Sequence, residues 1–218
     1  MTKTLFIPLL QAAVPQPQEV PALLDAANIP FEKIGEVNWE KDFPYTPSVK
    51  FRMAHTHNHI LIHYQVEEQS VRAMAPADNG HVWEDSCCEF FVSPDDDGTY
   101  YNIEANCAGK VLLANGPDRH ARTYAEANSV AQIARWSSLG SEPFDEKVGN
   151  CAWQMTLVIP STVFFKHKDV QLAGKKMKAN FYKCGDLLQV PHFLSWNKIS
   201  VERPDFHRPD FFGNIEFE

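Results

Sequence analysis

The sequence has no Cys-x-x-Cys pair, no apolar run of membrane-spanning length, no internal repeat and no low-complexity stretch. The missing Cys-x-x-Cys excludes a zinc site built on that spacing. Without about 20 consecutive apolar residues, no transmembrane helix is expected. Positive charge is also scarce, with 20 Lys and Arg against 28 Asp and Glu and a formal net charge of -8. A phosphate backbone selects a basic surface, so nucleic acid is excluded as a partner. The densest basic run, Lys175, Lys176 and Lys178, is expected at a strand edge. Five cysteines cannot all pair. Cys87 and Cys88 are adjacent on opposite faces of an expected strand, which disfavours a mutual disulfide. Free thiols without a disulfide framework point to a reducing, cytoplasmic compartment. Residues 1–13 faintly imitate a signal peptide, with one Lys and a short apolar run broken by Pro8. They read instead as an edge strand.

The composition, 44% hydrophobic and 22% charged over 218 residues, fits one globular domain spanning 1–218. Residues 19–27 read as a short helix with Pro21 in its first turn and Asn28 as its stop. Most of the rest alternates at period two. Strands are expected at 49–54, 60–66, 82–92, 100–107, 110–114, 151–159, 178–184 and 212–217, with shorter ones within 31–39 and 192–197. Residues 55–58 read as a hairpin turn. Asp95-Asp96-Asp97-Gly98 is a second turn, pairing the strands on either side of it. Residues 124–138 are weakly patterned, with Ile133 and Trp136 holding them to the body. Roughly ten short strands with frequent turns and few helices indicate an all-β, antiparallel sandwich of jelly-roll or immunoglobulin-like form.

Function is most legible at 83–92. Alternation turns Cys88, Phe90 and Val92 to one side and Cys87, Glu89 and Phe91 to the other. A carboxylate on a stiff strand therefore lies close to the indole of Trp83. An aromatic plate beside a fixed acceptor is a minimal sugar site: the C–H face of the ring lies on the π-surface, and its hydroxyls donate to the carboxylate. The plainer alternative is a core Trp and a solvated Glu. Cys87 and Phe91 share the face of Glu89, so that face is not simply wet. A partly covered carboxylate calls for a partner, with Lys110 or Arg52 as candidates.

The order of segments resembles the family 9 carbohydrate-binding modules. The resemblance runs from Lys50-Phe51-Arg52-Met53 through the strand at 60–66 and the segment 82–91. It continues through Tyr101-Asn102-Ile103-Glu104-Ala105-Asn106 to Gly109 and through 153–160, and ends at Leu194-Ser195-Trp196 and 206–213. It implies a β-sandwich with a concave ligand face, on which two Trp side chains clamp a mono- or oligosaccharide without transforming it. It places Trp83 and Trp196 as the two plates, Glu89 as the hydroxyl acceptor and Lys110 where the family has a basic donor, often Arg. The family has Asn three positions before the second Trp; here that position is Phe193, with Asn197 or His192 as substitutes. The resemblance also implies export, against the cytoplasmic reading of the residues, and raises bound calcium.

Four alternatives stay open. Glu89 and Glu104, if their strands pair, share a face and supply the two carboxylates that glycoside hydrolysis requires. An interaction module without a sugar site would bury Trp83 and Trp196 apart from each other. His55, His57, His59 and His63 suggest a metal comb that the turn at 56–58 interrupts. The acidic turn Asp95-Asp96-Asp97 is a calcium candidate lacking the spacing of a calcium loop. Saccharide binding itself requires no cofactor, with calcium the one addition these residues and the resemblance raise.

Overall fold

The computed structural model describes residues 2–218. In chain order the elements are β1 (Thr4–Ile7), α1 (Val20–Ala26), β2 (Glu32–Lys33), β3 (Glu36–Val37), β4 (Ser48–His55), β5 (His59–Ala73), β6 (Cys87–Ser93) and β7 (Tyr100–Asn106). There follow β8 (Val111–Gly116), β9 (Thr123–Tyr124), α2 (Ala127–Val130), β10 (Ala134–Ser137), β11 (Phe144–Pro160), β12 (Lys176–Cys184), β13 (Phe193–Ser195) and β14 (Gly213–Phe217). The strands form two sheets. One runs β1-β14-β12-β6-β7-β8-β9, with β13 pairing β12 beyond the end of β14 and β3 pairing β13. The other runs β10-β11-β5-β4-β2. Only the β1–β14 pair is parallel among the described strands, so the molecule is the antiparallel sandwich that the alternation predicts. No helix among the described residues is long and apolar enough to cross a membrane.

Period-two alternation sorts the first sheet's residues onto two faces. Cys88, Phe90 and Val92 of β6 point between the sheets, with Ile103, Phe181 and Ile215 beside them and Trp153, Met155, Leu157 and Ile159 of β11 opposite. Phe51 stacks on Phe181 at 3.9 Å and Phe181 on Phe90 at 4.9 Å, so a column of rings joins the sheets. The opposite face of the first sheet is not left to water. Loops carrying Trp39, Phe206 and Phe212 cover Phe91, Tyr100 and Tyr182 and build a second apolar cluster. Phe206 lies flat on Tyr182 at 4.2 Å. On the far side of the second sheet, α1 packs Val20 and Leu24 against Ala54, Leu61 and Val158.

The chain departs from the expected elements where long-range pairing or a side chain overrides local pattern. The expected strand at 82–92 splits into a 3-10 turn (Val82–Glu84) and β6. The buried Asp85 carboxylate causes the break. It accepts from the backbone N–H of Met74 and Ala75 at 2.8 and 2.9 Å and from Asn106 Nδ2 at 2.8 Å, which draws the chain out of the ladder. β5 and β11 outrun their predicted ends because they pair along almost their whole length, with two register shifts on β11. Residues 1–13 were expected at a sheet edge, and β1 lies at the edge of the first sheet.

Two inward positions, Lys183 of β12 and Glu68 of β5, carry ionisable groups. Lys183 of β12 is fully buried, with Nζ 2.9 Å from Glu68 Oε2, 2.6 Å from His192 Nε2 and 2.8 Å from the Cys184 carbonyl. Trp153 Nε1 donates to Glu68 Oε1 at 2.7 Å. Burial works against the Lys183 ammonium, but the Glu68 carboxylate outweighs it and raises its pKa. His192 is held neutral, its pKa pushed down to about 2 by burial and then by the Lys183 charge.

Candidate functional site

The loops covering the outer face of the first sheet leave one opening, a cavity of about 240 Å³. Its floor is built by the sheet: Glu89 of β6, Glu104 of β7 and Cys184 of β12. Glu89 lies directly opposite Glu104 on one side and Tyr182 on the other, so alternation and register aim both carboxylates at the same opening. Trp83, Phe193 and Phe206 supply apolar wall. Arg119 and Arg122, from the loop after β8, and Asp186, Asp205 and His207 complete the rim.

Trp83 is half-buried, and His81 stacks on it at 4.6 Å with 29° between the planes. His81 therefore covers one face of the indole, which lines the cavity and packs against the outer apolar cluster. Phe193 is held edge-on by Phe43 and Trp39 at 4.8 and 6.4 Å.

The electrostatics of the floor are unusual. Burial, and then repulsion from Glu104, hold the Glu89 carboxyl well above the ordinary carboxylate range. Burial raises Glu104 to about 7 and Asp186 to about 6. Asn102 Nδ2 donates to Glu104 Oε1 at 2.8 Å, and Arg122 Nη1 stands 3.8 Å from the same oxygen. Glu104 Oε2 is buried without a partner. Cys184 Sγ donates to Glu89 Oε1 at 3.1 Å. Arg119 pairs with Asp205 at 2.7 Å. Burial, with Arg122 and Arg119 adding to it, pushes His207 down to about 3, so its imidazole is neutral. Its Nδ1 lies 2.7 Å from the Tyr100 hydroxyl. Acceptors, forked donors and aromatic wall thus meet in one opening, the inventory needed to bind a small polyhydroxylated molecule.

Of the residues singled out from sequence, the structure brings Trp83, Glu89 and Glu104 together at this cavity and sends Trp196, Arg52, Lys110, Asn197 and His192 elsewhere. Trp196 is not a second plate. It is 1% exposed, packed edge-on against Phe51 and Phe181 at 6.4 and 5.7 Å, with Nε1 donating to Glu32 Oε2 at 3.1 Å. Its backbone follows β13, whose alternation turns it inward; Gly213 accepts the close approach, since a Cβ there would fall 2.5 Å from Trp196 Cζ3. Arg52 is not a partner of Glu89. It lies on the second sheet, where its guanidinium joins Asp25 Oδ1 at 2.6 Å, the Pro21 carbonyl at 2.9 Å and His63 Nδ1 at 3.1 Å, fastening α1. Lys110 lines a separate depression with Asp78 and Arg135. Asn197 is buried and structural, accepting from the Lys3 backbone N–H and donating to the Phe211 carbonyl, at 2.9 and 2.8 Å. His192, the other substitute, belongs to the Lys183 network. The histidines at 55–63 form no metal comb: His55 bonds the Thr56 carbonyl and His63 bonds Arg52 and Gln154.

Sequence reasoning did not reach Arg119, Arg122, Asp186, Phe206 or His207 as site residues. All five sit on loops that close over the sheet from distant parts of the chain. The one usable signal was the Glu89–Glu104 face-sharing, which follows from hairpin pairing through the turn at 95–98.

The sequence profile of carbohydrate-binding family 9 matches residues 18–217. No curated protein matches the chain significantly. Among solved structures, a protein of Bacteroides uniformis ATCC 8492 proposed to bind carbohydrate is 52% identical over the full length of both chains, with a TM-score of 0.97. A family 9 carbohydrate-binding module from Caldicellulosiruptor kristjanssonii, solved with cellotriose, shares the fold at 10% identity and a TM-score of 0.58, over 99% of this chain and 94% of that one. The same organism's family 9 module solved with glucose aligns at 11% identity and 0.56, over 99% and 96%. With the family profile matching residues 18–217 and the fold agreeing with it, the chain belongs to carbohydrate-binding family 9.

Proposed function

We propose that the domain binds a short saccharide in the cavity on the outer face of the first sheet, without transforming it. The observation that carries this reading is the convergence of Trp83 with Glu89 and Glu104 at a single opening. A pyranose ring lies against Trp83, with Phe193 as the second apolar wall in the place that sequence reasoning gave to Trp196. Glu104 Oε2, buried and unpartnered, accepts a ring hydroxyl. Arg122 donates from the rim. At about 240 Å³ the cavity is just below the usual range for drug-sized ligands, which suits one or two sugar units. The glucose bound by one Caldicellulosiruptor module is a ligand of that scale, and the three-unit cellotriose bound by the other would extend beyond it. Affinity falls in the micromolar to millimolar range, roughly -8 to -4 kcal/mol, because few ligand atoms compete with water.

Titration calorimetry against a panel of mono- and oligosaccharides tests the reading. Trp83→Ala weakens binding by about tenfold or more, the loss of an aromatic platform, while Lys110→Ala leaves affinity unchanged. Binding that survives Trp83→Ala intact, or is absent across the panel, overturns the site. Aryl glycosides in the same panel test the carboxylate pair for hydrolysis; the expected result is no turnover.

A further inference from the structure

Cys87 and Cys184 are two residues far apart in sequence that β6 and β12 place directly opposite each other. Both side chains project to the outer face, and Glu89, two residues after Cys87, projects beside them. One sulfur from each cysteine and one oxygen of Glu89 all lie within 4.8 Å of one another. Two further thiols, Cys88 and Cys107, face inward and belong to the apolar interior. Cys184 and Glu89, in contrast, line the cavity. Arg119 is already paired with Asp205 and Arg122 faces Glu104, so neither Glu89 nor Asp186 has a cationic partner among the described residues. Negative and ionisable groups are gathered here beyond what the local cations balance.

We propose that Cys87, Cys184 and Glu89 form a site for a thiophilic divalent cation of the zinc class, set in the floor of the cavity and independent of the saccharide reading. Two sulfurs and one carboxylate select such an ion over calcium or magnesium, which take oxygen ligands. Tetrahedral bonds of about 2.3 Å to sulfur set two sulfurs about 3.8 Å apart. Closing from the observed separations therefore needs at most about 1 Å of side-chain movement. The fourth position faces the cavity, where water or a ligand hydroxyl completes the coordination. The metal forms a bond to each sulfur as each S–H bond breaks and its proton leaves to solvent, so binding strengthens as pH rises. The site escapes sequence motifs because strand register, not local spacing, brings the sulfurs together.

Cobalt(II) added to the reduced, sugar-free protein is the test. The expected result is a sulfur-to-cobalt charge-transfer band saturating at one ion per chain, displaced by zinc, lost in Cys87→Ser and Cys184→Ser and kept in Cys151→Ser. No band in the wild-type protein, or a band that persists in both Cys87→Ser and Cys184→Ser, overturns the proposal. Should a serine variant fail to fold, X-ray absorption on zinc-loaded wild-type protein decides. Two sulfur neighbours support the site, and a shell of oxygen and nitrogen alone overturns it. Neither readout involves a saccharide, so its failure would leave the sugar-binding reading standing.

Discussion

Replacing Glu104 with Gln tests the electrostatics of the cavity floor without emptying it. Glu104 is 2% exposed and ionises near 7 rather than 4.5, chiefly because burial penalises its charge. Between those values the folded protein keeps a proton that the unfolded chain has released. Stability therefore falls as pH rises through this window, since the folded state binds more protons than the unfolded state. At about 1.4 kcal/mol per pH unit, the gap corresponds to about 3 kcal/mol lost between pH 4.5 and pH 7. Gln stands in for the neutral carboxyl at every pH. Glu104→Gln is thus expected to match the wild type near pH 4.5 and to exceed its stability by up to about 3 kcal/mol at pH 8. Removing the charge also relieves Glu89, whose carboxyl Glu104 helps to hold up. Urea unfolding at intervals from pH 4.5 to pH 8, followed by fluorescence, gives the two profiles. Parallel curves, with the same difference at both ends, would refute the claim that Glu104 carries this burden.

Two other substitutions separate packing from binding. Trp196→Ala removes a ring from the inter-sheet column and is expected to cost about 3–5 kcal/mol of stability, read by denaturant unfolding. Saccharide affinity of the folded fraction should be unchanged, which a two-indole clamp would forbid. Lys183→Met leaves Glu68 buried without its ammonium and is expected to cost about 3–5 kcal/mol at neutral pH. Adding Glu68→Gln should restore most of that in thermal unfolding, and failure of the double variant to recover would show that the pair is not the source of the loss.

The fold was legible because most strands carry a strict two-residue period, and burial on one side is what enforces it. Cys88, Phe90 and Val92 face inward as their spacing requires, and Trp153, Met155, Leu157 and Ile159 do the same on β11. The site was legible only where it rests on those strands. Glu89 follows from alternation, and Glu104 follows from alternation plus one hairpin. Trp196 went wrong because a late Trp on a short strand can face either way, and one residue of register decides which. Trp153 and Trp39 are likewise committed to packing, with indole N–H groups bonded to Glu68 and to the Val201 carbonyl. Indole count alone therefore says little about a ligand face. The rim residues were out of reach because Arg119, Arg122, Asp186 and His207 meet only after three separate loops close on the sheet, and no local period encodes that closure.

Why the floor holds two carboxylates follows from what surrounds them. Loops cover the rest of this sheet face with rings that stack to van der Waals contact, as Phe206 does on Tyr182. At Glu89 and Glu104 the same face could have been sealed with apolar residues, and the protein would be more stable for it. Instead it keeps a pair whose burial raises both carboxyls, Glu89 also through repulsion from Glu104, with one oxygen of Glu104 lacking any partner. Such an orphaned acceptor costs on the order of 1–3 kcal/mol. The cost is returned when a hydroxyl enters and donates to it, so the instability of the empty floor becomes affinity in the occupied one. The same reasoning explains why the aromatic wall stands at the edge of the opening. In the site proposed above, Trp83 and Phe193 would hold the apolar face of a ring while the floor reads its hydroxyls, and neither half of that arrangement would bind a sugar alone.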